Sequence, residues 1–125
     1  MVRVLLIDDD AAMREVLRTI LEREHYEVLE APDGEVGTQL FRAQLPDVVL
    51  TEILLPKKDG IETIRDLRKE WPHVKIIAMS GGGYRVTPQS VLEAAADFGA
   101  LRTLAKPFSC QTLLSAVAIV LTTSV

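Results

Sequence analysis

Cysteine is almost absent from this chain. Cys110 is the only one in 125 residues, so no intrachain disulfide can form. The lone thiol is read as a small, buried apolar side chain. A signal segment is missing too. The run from Met1 to Ile7 is apolar but stops at Asp8, too short for the apolar part of a signal peptide or for a membrane span. The run from Ala116 to Leu121 is also too short to cross a bilayer. These absences together predict a cytoplasmic location. Nor is there an excess of positive charge. Fourteen Lys and Arg against 18 Asp and Glu leave a formal net charge of −4, spread along the chain. Non-specific nucleic-acid binding needs a basic surface, so neither direct nucleic-acid contact nor a membrane partner is expected. Glycine motifs for phosphate are lacking as well. Gly81-Gly82-Gly83 is not followed by the Lys-Ser/Thr of a phosphate loop, and no G-x-G-x-x-G occurs. The triple glycine reads as a mobile connection after Ser80.

What is present is regular. Apolar residues make up 48% of the chain, enough to bury a core in one domain over residues 1–125. Two periods alternate from end to end. Arg3 to Ile7 is a buried strand, and Ala11 to Arg23 a helix with Met13, Val16, Leu17, Ile20 and Leu21 at helical spacing. Tyr26 to Ala31 is a second strand, and Asp33 caps a helix through Ala43. Pro46 to Thr51 and Val74 to Met79 give two more strands, separated by a helix that Asp59 opens and Pro72 stops. Thr87-Pro88 starts a helix that ends at Gly99. Leu101 to Ala105 is a fifth strand, and the last helix runs from about Ser109 to Thr122. No repeat or low-complexity segment interrupts the pattern. Strand and helix alternating five times predict an α/β fold, a parallel sheet covered on both faces with right-handed crossovers.

In such a fold, sites form outside the carboxyl ends of the strands. Strand one ends in Asp8-Asp9-Asp10, strand three in Thr51-Glu52, strand four in Ser80 and strand five in Lys106-Pro107. Grouped carboxylates repel one another, and a hard divalent cation relieves the repulsion. Oxygen-only ligands open to water suit Mg²⁺. A lysine and a hydroxyl beside the metal make a seat for a phosphoryl group. A hydrolase or phosphatase on a similar sheet is the enzymatic rival. It is disfavoured because no nucleophile elbow is visible and neither His25 nor His73 falls at a strand end.

The run Leu6-Ile7-Asp8-Asp9, then Pro56 and Asp59-Gly60, then Ser80, then Lys106-Pro107-Phe108, resembles the receiver domain of two-component response regulators. Each motif is weak alone, but their order at successive strand ends is specific. The likeness covers essentially the whole chain. It implies a flavodoxin-like sheet of order 2-1-3-4-5 and a signalling module rather than an enzyme. It implies Mg²⁺ held by Asp8, Asp9, the acceptor carboxylate and the Leu54 backbone carbonyl. Ser80 matches the hydroxyl that reaches for the phosphoryl group, and Lys106 the lysine that pairs with the acceptor. The Lys106–Pro107 peptide matches one that is commonly cis. Implied partners are a sensor histidine kinase or phosphotransfer protein and a downstream effector.

Two positions depart from that pattern. Glu52 stands where the family carries its acceptor aspartate, and Thr103 where it usually has Tyr or Phe. The glutamate predicts impaired phosphorylation, weakened Mg²⁺ binding and a Glu52–Lys106 contact. The other reading is a binding module that works without phosphorylation. Thr103, at the switch position, lacks the ring that couples the site to the surface.

Other residues have plainer readings. Asp10 is a helix-start residue, Thr51 is structural, and Trp71 is a packing residue. The last helix carries no charged residue from Ser109 onward, and its apolar residues cover more than one face. It is read either as a core helix or as part of a homodimer interface formed by the last two helices.

Overall fold

Local sequence rules account for most element ends in the computed structural model, which describes residues 1–81 and 88–125. The elements are β1 (Arg3–Ile7), α1 (Ala11–Arg23), β2 (Glu27–Ala31), α2 (Gly34–Gln44), β3 (Val48–Glu52), α3 (Gly60–Glu70), β4 (Ile76–Ser80), α4 (Pro88–Phe98), β5 (Arg102–Ala105) and α5 (Cys110–Leu121). Asp10, Asp33, Asp59 and Ser109 cap α1, α2, α3 and α5, each side chain accepting a hydrogen bond from the amide three residues on. Gly99 ends α4 at φ 122°, where a side chain would be strained. Gly82, Gly83 and Thr87, expected in the connection before α4, lie outside the described residues.

All strand pairs are parallel, in the order β2-β1-β3-β4-β5. This is the flavodoxin-like α/β fold expected above. The period of two in β1 sends Val4 and Leu6 to one face, where they meet Leu17 and Leu21 of α1 and Leu113 and Val117 of α5. Leu5 and Ile7 go to the other face, with Phe41 of α2, Ile64 and Leu67 of α3, and Leu92 of α4. Burial on both faces is why the inner strands β1, β3 and β4 read as largely apolar runs rather than alternating ones. Among the described residues, no helix is long and apolar enough to cross a membrane.

β2, β3, β4 and β5 begin one or two residues later than the sequence reading, at Glu27, Val48, Ile76 and Arg102, and other details differ as well. β3 and β4 each reach one residue further, so Glu52 and Ser80 are the last residues of strands. The ladder continues there because the Ile53 amide donates to Met79 O and the Lys106 amide to Ser80 O. Cys110 is exposed, not buried. It is the first residue of α5 and sits where that helix begins, at the carboxyl end of the sheet; the core face starts at Leu113. Trp71 does pack: its ring lies 4.7 Å from that of Phe41, tilted by 56°.

Candidate functional site

Three strand ends bring opposite charges together. Parallel register sets Ile7 beside Thr51, Glu52 beside Met79, and Ser80 beside Ala105. The next residues of β1 and β5 are therefore Asp8 and Lys106, on either side of Glu52. Lys106 Nζ lies 3.0 Å from Asp8 Oδ2 and 2.7 Å from Glu52 Oε2. Both carboxylates are buried, with Asp8 1% and Glu52 6% exposed. The Asp8 contact is a hydrogen bond, and the Glu52 contact is a close ion pair. The remaining carboxylate oxygens take backbone donors. Asp8 Oδ1 accepts from the Asp10 amide at 3.0 Å, and Glu52 Oε1 from the Leu54 amide at 3.2 Å.

Electrostatics favours the charged form of Lys106. Burial acts to lower the Lys106 pKa, but the contacts and charges of Glu52 and Asp8 outweigh it and hold the ammonium above its ordinary value of 10.5. Two carboxylates sharing one ammonium leave one net negative charge in the buried group. Asp9, exposed beside Asp8, adds another. The donors are all oxygen, which is the chemistry that fits a hard divalent cation. In this arrangement, however, Asp8 and Glu52 are both turned onto Lys106. Among the described residues, no three Asp, Glu, His or Cys side chains are gathered as a metal cluster.

The other candidates fall in several places. Ser80 is fully buried at the end of β4, its carbonyl bonded to the Lys106 amide. The Lys106–Pro107 peptide is cis. Thr103 is exposed on the edge strand, in register with Ala78. Asp10 caps α1, and the Thr51 hydroxyl donates to Glu52 O at 2.9 Å. His73 lies far from the acids, its Nδ1 at 2.5 Å from Val125 O. One residue escaped the sequence reading. Arg14 donates from α1 to the Asp8 carbonyl at 2.6 Å and pairs with Glu30 of β2 at 3.3 Å. It stands six residues after Asp8, and only the β1–β2 register brings Glu30 alongside.

Comparison with known proteins gives the family. The family model described as response regulator receiver domain matches residues 4–118. The chemotaxis protein CheY of Thermotoga maritima is 36% identical over 107 residues, covering 85% of this chain and 86% of that protein. A probable transcriptional regulator, ycf27, of Guillardia theta is 35% identical over 109 residues, or 86% of this chain. The chain spans only 40% of that longer relative. The crystal structure of a response regulator receiver domain protein from Clostridium thermocellum superposes with a TM-score of 0.89 at 28% identity, over 97% of this chain and 94% of that one. The chain therefore belongs to the response regulator receiver domain family. Receiver domains are signalling modules of two-component systems.

Proposed function

We propose that the chain is one receiver domain in which Glu52 occupies the phospho-acceptor position, so that phosphoryl transfer from a histidine kinase or phosphotransfer protein is impaired. The observation that carries this reading is the 2.7 Å contact between Glu52 Oε2 and Lys106 Nζ. Asp8 shares the same ammonium at 3.0 Å, but Glu52 is the acid that ends β3, the strand that carries the acceptor in the family. Glutamate carries the charge of aspartate on one more methylene, which moves the carboxylate by about 1.5 Å, and a misplacement of about 1 Å can cost on the order of a hundredfold in transfer. Mg²⁺ would be held by Asp8, Asp9, Glu52 and the Leu54 carbonyl. When bound, it would neutralise charge on the transferring phosphoryl group. Ser80 and Lys106 would face the phosphoryl oxygens. Thr103, exposed and without a ring, would leave the usual coupling to the β5 edge absent.

Output passes to an effector protein in the cytoplasm through the domain's conformational state. Self-association through α4 and α5 belongs to the same proposal, supported by the uncharged exposed face of α5 and by Phe98 and Ile119, which are 46% and 42% exposed. A second reading, a module that binds its partner without phosphorylation, is favoured by the way Lys106 is already drawn onto Glu52. Incubation with acetyl phosphate and Mg²⁺, followed by intact-mass measurement, separates the two. Glu52→Asp is expected to gain one phosphoryl group and the unsubstituted chain to gain little. Equal uptake by both at residue 52 overturns the first reading. No uptake by either favours the second.

A further inference from the structure

The connection from β3 to α3 carries the backbone that touches Glu52, and a single charged side chain braces its outer end. Its neck is closed by backbone contacts. The Gly60 amide donates to Ile53 O at 2.8 Å, and a Cβ on Gly60 would stand 2.4 Å from Glu52 O. Beyond the neck, residues 54–59 swing out and return. Leu54 is 40% exposed, and Lys57 adopts φ 62°, a left-handed conformation that costs a non-glycine residue energy. Leu55 packs on the core layer of α2 and α3. Lys58 supplies the polar tie. Its Nζ lies 2.7 Å from Asp66 Oδ2 on α3 and donates to Thr38 Oγ1 on α2 at 3.2 Å. Thr38 is itself fastened to Gly34 O at 2.8 Å. The Lys58 backbone also presses on the start of α2, where a Cβ on Gly34 would stand 2.7 Å from Lys58 O. One ammonium thus bridges two helices from the middle of the loop that carries Leu54.

We propose that Lys58 is a positioning residue for the site: by binding Asp66 and Thr38 it holds the β3–α3 loop so that Leu54, amide and carbonyl together, stays beside Glu52. Residues that merely solvate a loop do not reach two helices at once. The Lys58 side chain is only 19% exposed, so its ammonium loses more water than a surface lysine and depends more on both partners. The Lys58 hydrogen bond in turn keeps the Asp66 carboxyl below its usual range. The role in cation binding rests on the function proposed above, whereas the brace on Leu54 does not.

The test measures amide hydrogen exchange by NMR, with Mg²⁺ titrated calorimetrically on the same samples. Lys58→Met should speed exchange of the Leu54 amide by roughly three- to tenfold, the scale expected for losing a partly exposed ion pair that also holds a hydroxyl. Val117, in the opposite core layer, should be unchanged. Asp66→Asn should act in the same direction, and the double variant should add little to Lys58→Met. Lys58→Arg keeps the charge and the reach and should restore Leu54 protection. Mg²⁺ affinity should fall by a similar factor in Lys58→Met. Leu54 exchange that does not change, or that changes only in step with Val117, overturns the proposal. If the unsubstituted chain takes up no Mg²⁺, the metal-assisted reading of the site fails, while Leu54 exchange still decides the role of Lys58.

Discussion

Lys106 and Glu52, 54 residues apart in sequence, meet at 2.7 Å across the carboxyl edge of the sheet. The ammonium also holds Asp8 at 3.0 Å, so one positive charge faces two buried carboxylates. That imbalance makes Lys106 the residue on which the site's stability most depends. Lys106→Met would leave Asp8 and Glu52 facing each other without a counter-charge, and breaking a buried pair this way costs about 3–5 kcal/mol. The lysine is 18% exposed, which lets water in and brings the expected loss to about 2–4 kcal/mol. Urea unfolding measures it. The same substitution in a Glu52→Gln background should cost clearly less, because one uncompensated charge is gone. Equal costs in the two backgrounds would show that Glu52 and Lys106 are not energetically coupled.

Gly60 and Gly37 are both tight positions, but their neighbours differ. A Cβ on Gly60 would meet backbone, Glu52 O at 2.4 Å and Ile53 Cα at 2.5 Å. A Cβ on Gly37 would meet only side-chain atoms, Ile7 Cδ1 at 2.4 Å and Cγ1 at 2.9 Å, which yield more readily than backbone. Gly60→Ala should therefore cost about 1–3 kcal/mol and shift the Leu54 amide resonance, since it pushes on the end of β3. Gly37→Ala should cost less and leave that resonance in place. Chemical denaturation and an amide NMR spectrum of each variant are the measurements.

Asp66 gives a pH dependence with a defined sign. The hydrogen bond from Lys58 lowers its folded pKa below the ordinary 3.8. A depressed acid contributes stability above its unfolded value and loses it as the pH falls through the folded one. The stability difference between the chain and Asp66→Asn should be constant from neutral pH to about 5. It should shrink as the pH drops below 3.8. Asp66 is well exposed, so the difference at neutral pH should stay under about 1 kcal/mol. A difference that grows on acidification would contradict the assignment.

Cation binding should respond to the length of the acidic arm. Glu52 is turned onto Lys106, and Mg²⁺ demands near-ideal octahedral oxygen geometry. Shortening the arm by Glu52→Asp should tighten Mg²⁺ binding, and adding Asp9→Asn to that variant should weaken it again. Calorimetric titration reads both. Unchanged affinity in Glu52→Asp would mean that the extra methylene does not disturb the donors.

Much of this was legible in the chain. The β1 run from Arg3 to Ile7 has no polar residue after Arg3 until Asp8, and a strand covered on both faces can take no other pattern. Asp10, Asp33 and Asp59 announced the starts of α1, α2 and α3, because capping depends only on a side chain three residues before an amide. The polar residues at four strand ends could be placed on one edge once the sheet was known to be parallel. Local periodicity and capping need no information from distant residues, so sequence alone determined them. Tertiary structure decided the rest. Arg14 ties down the Asp8 carbonyl from six residues on, and only the β1–β2 register brings Glu30 to the same guanidinium. Cys110 is exposed because α5 begins where the sheet ends, although its spacing from Leu113 and Val117 matches the buried face. Nothing in the sequence marks Lys58, and only the packing of α2 against α3 brings Thr38 and Asp66 to a single ammonium. Charge pairing depends on distance in space, and the spatial distance between residues 20 or 98 positions apart is a property of the packed fold.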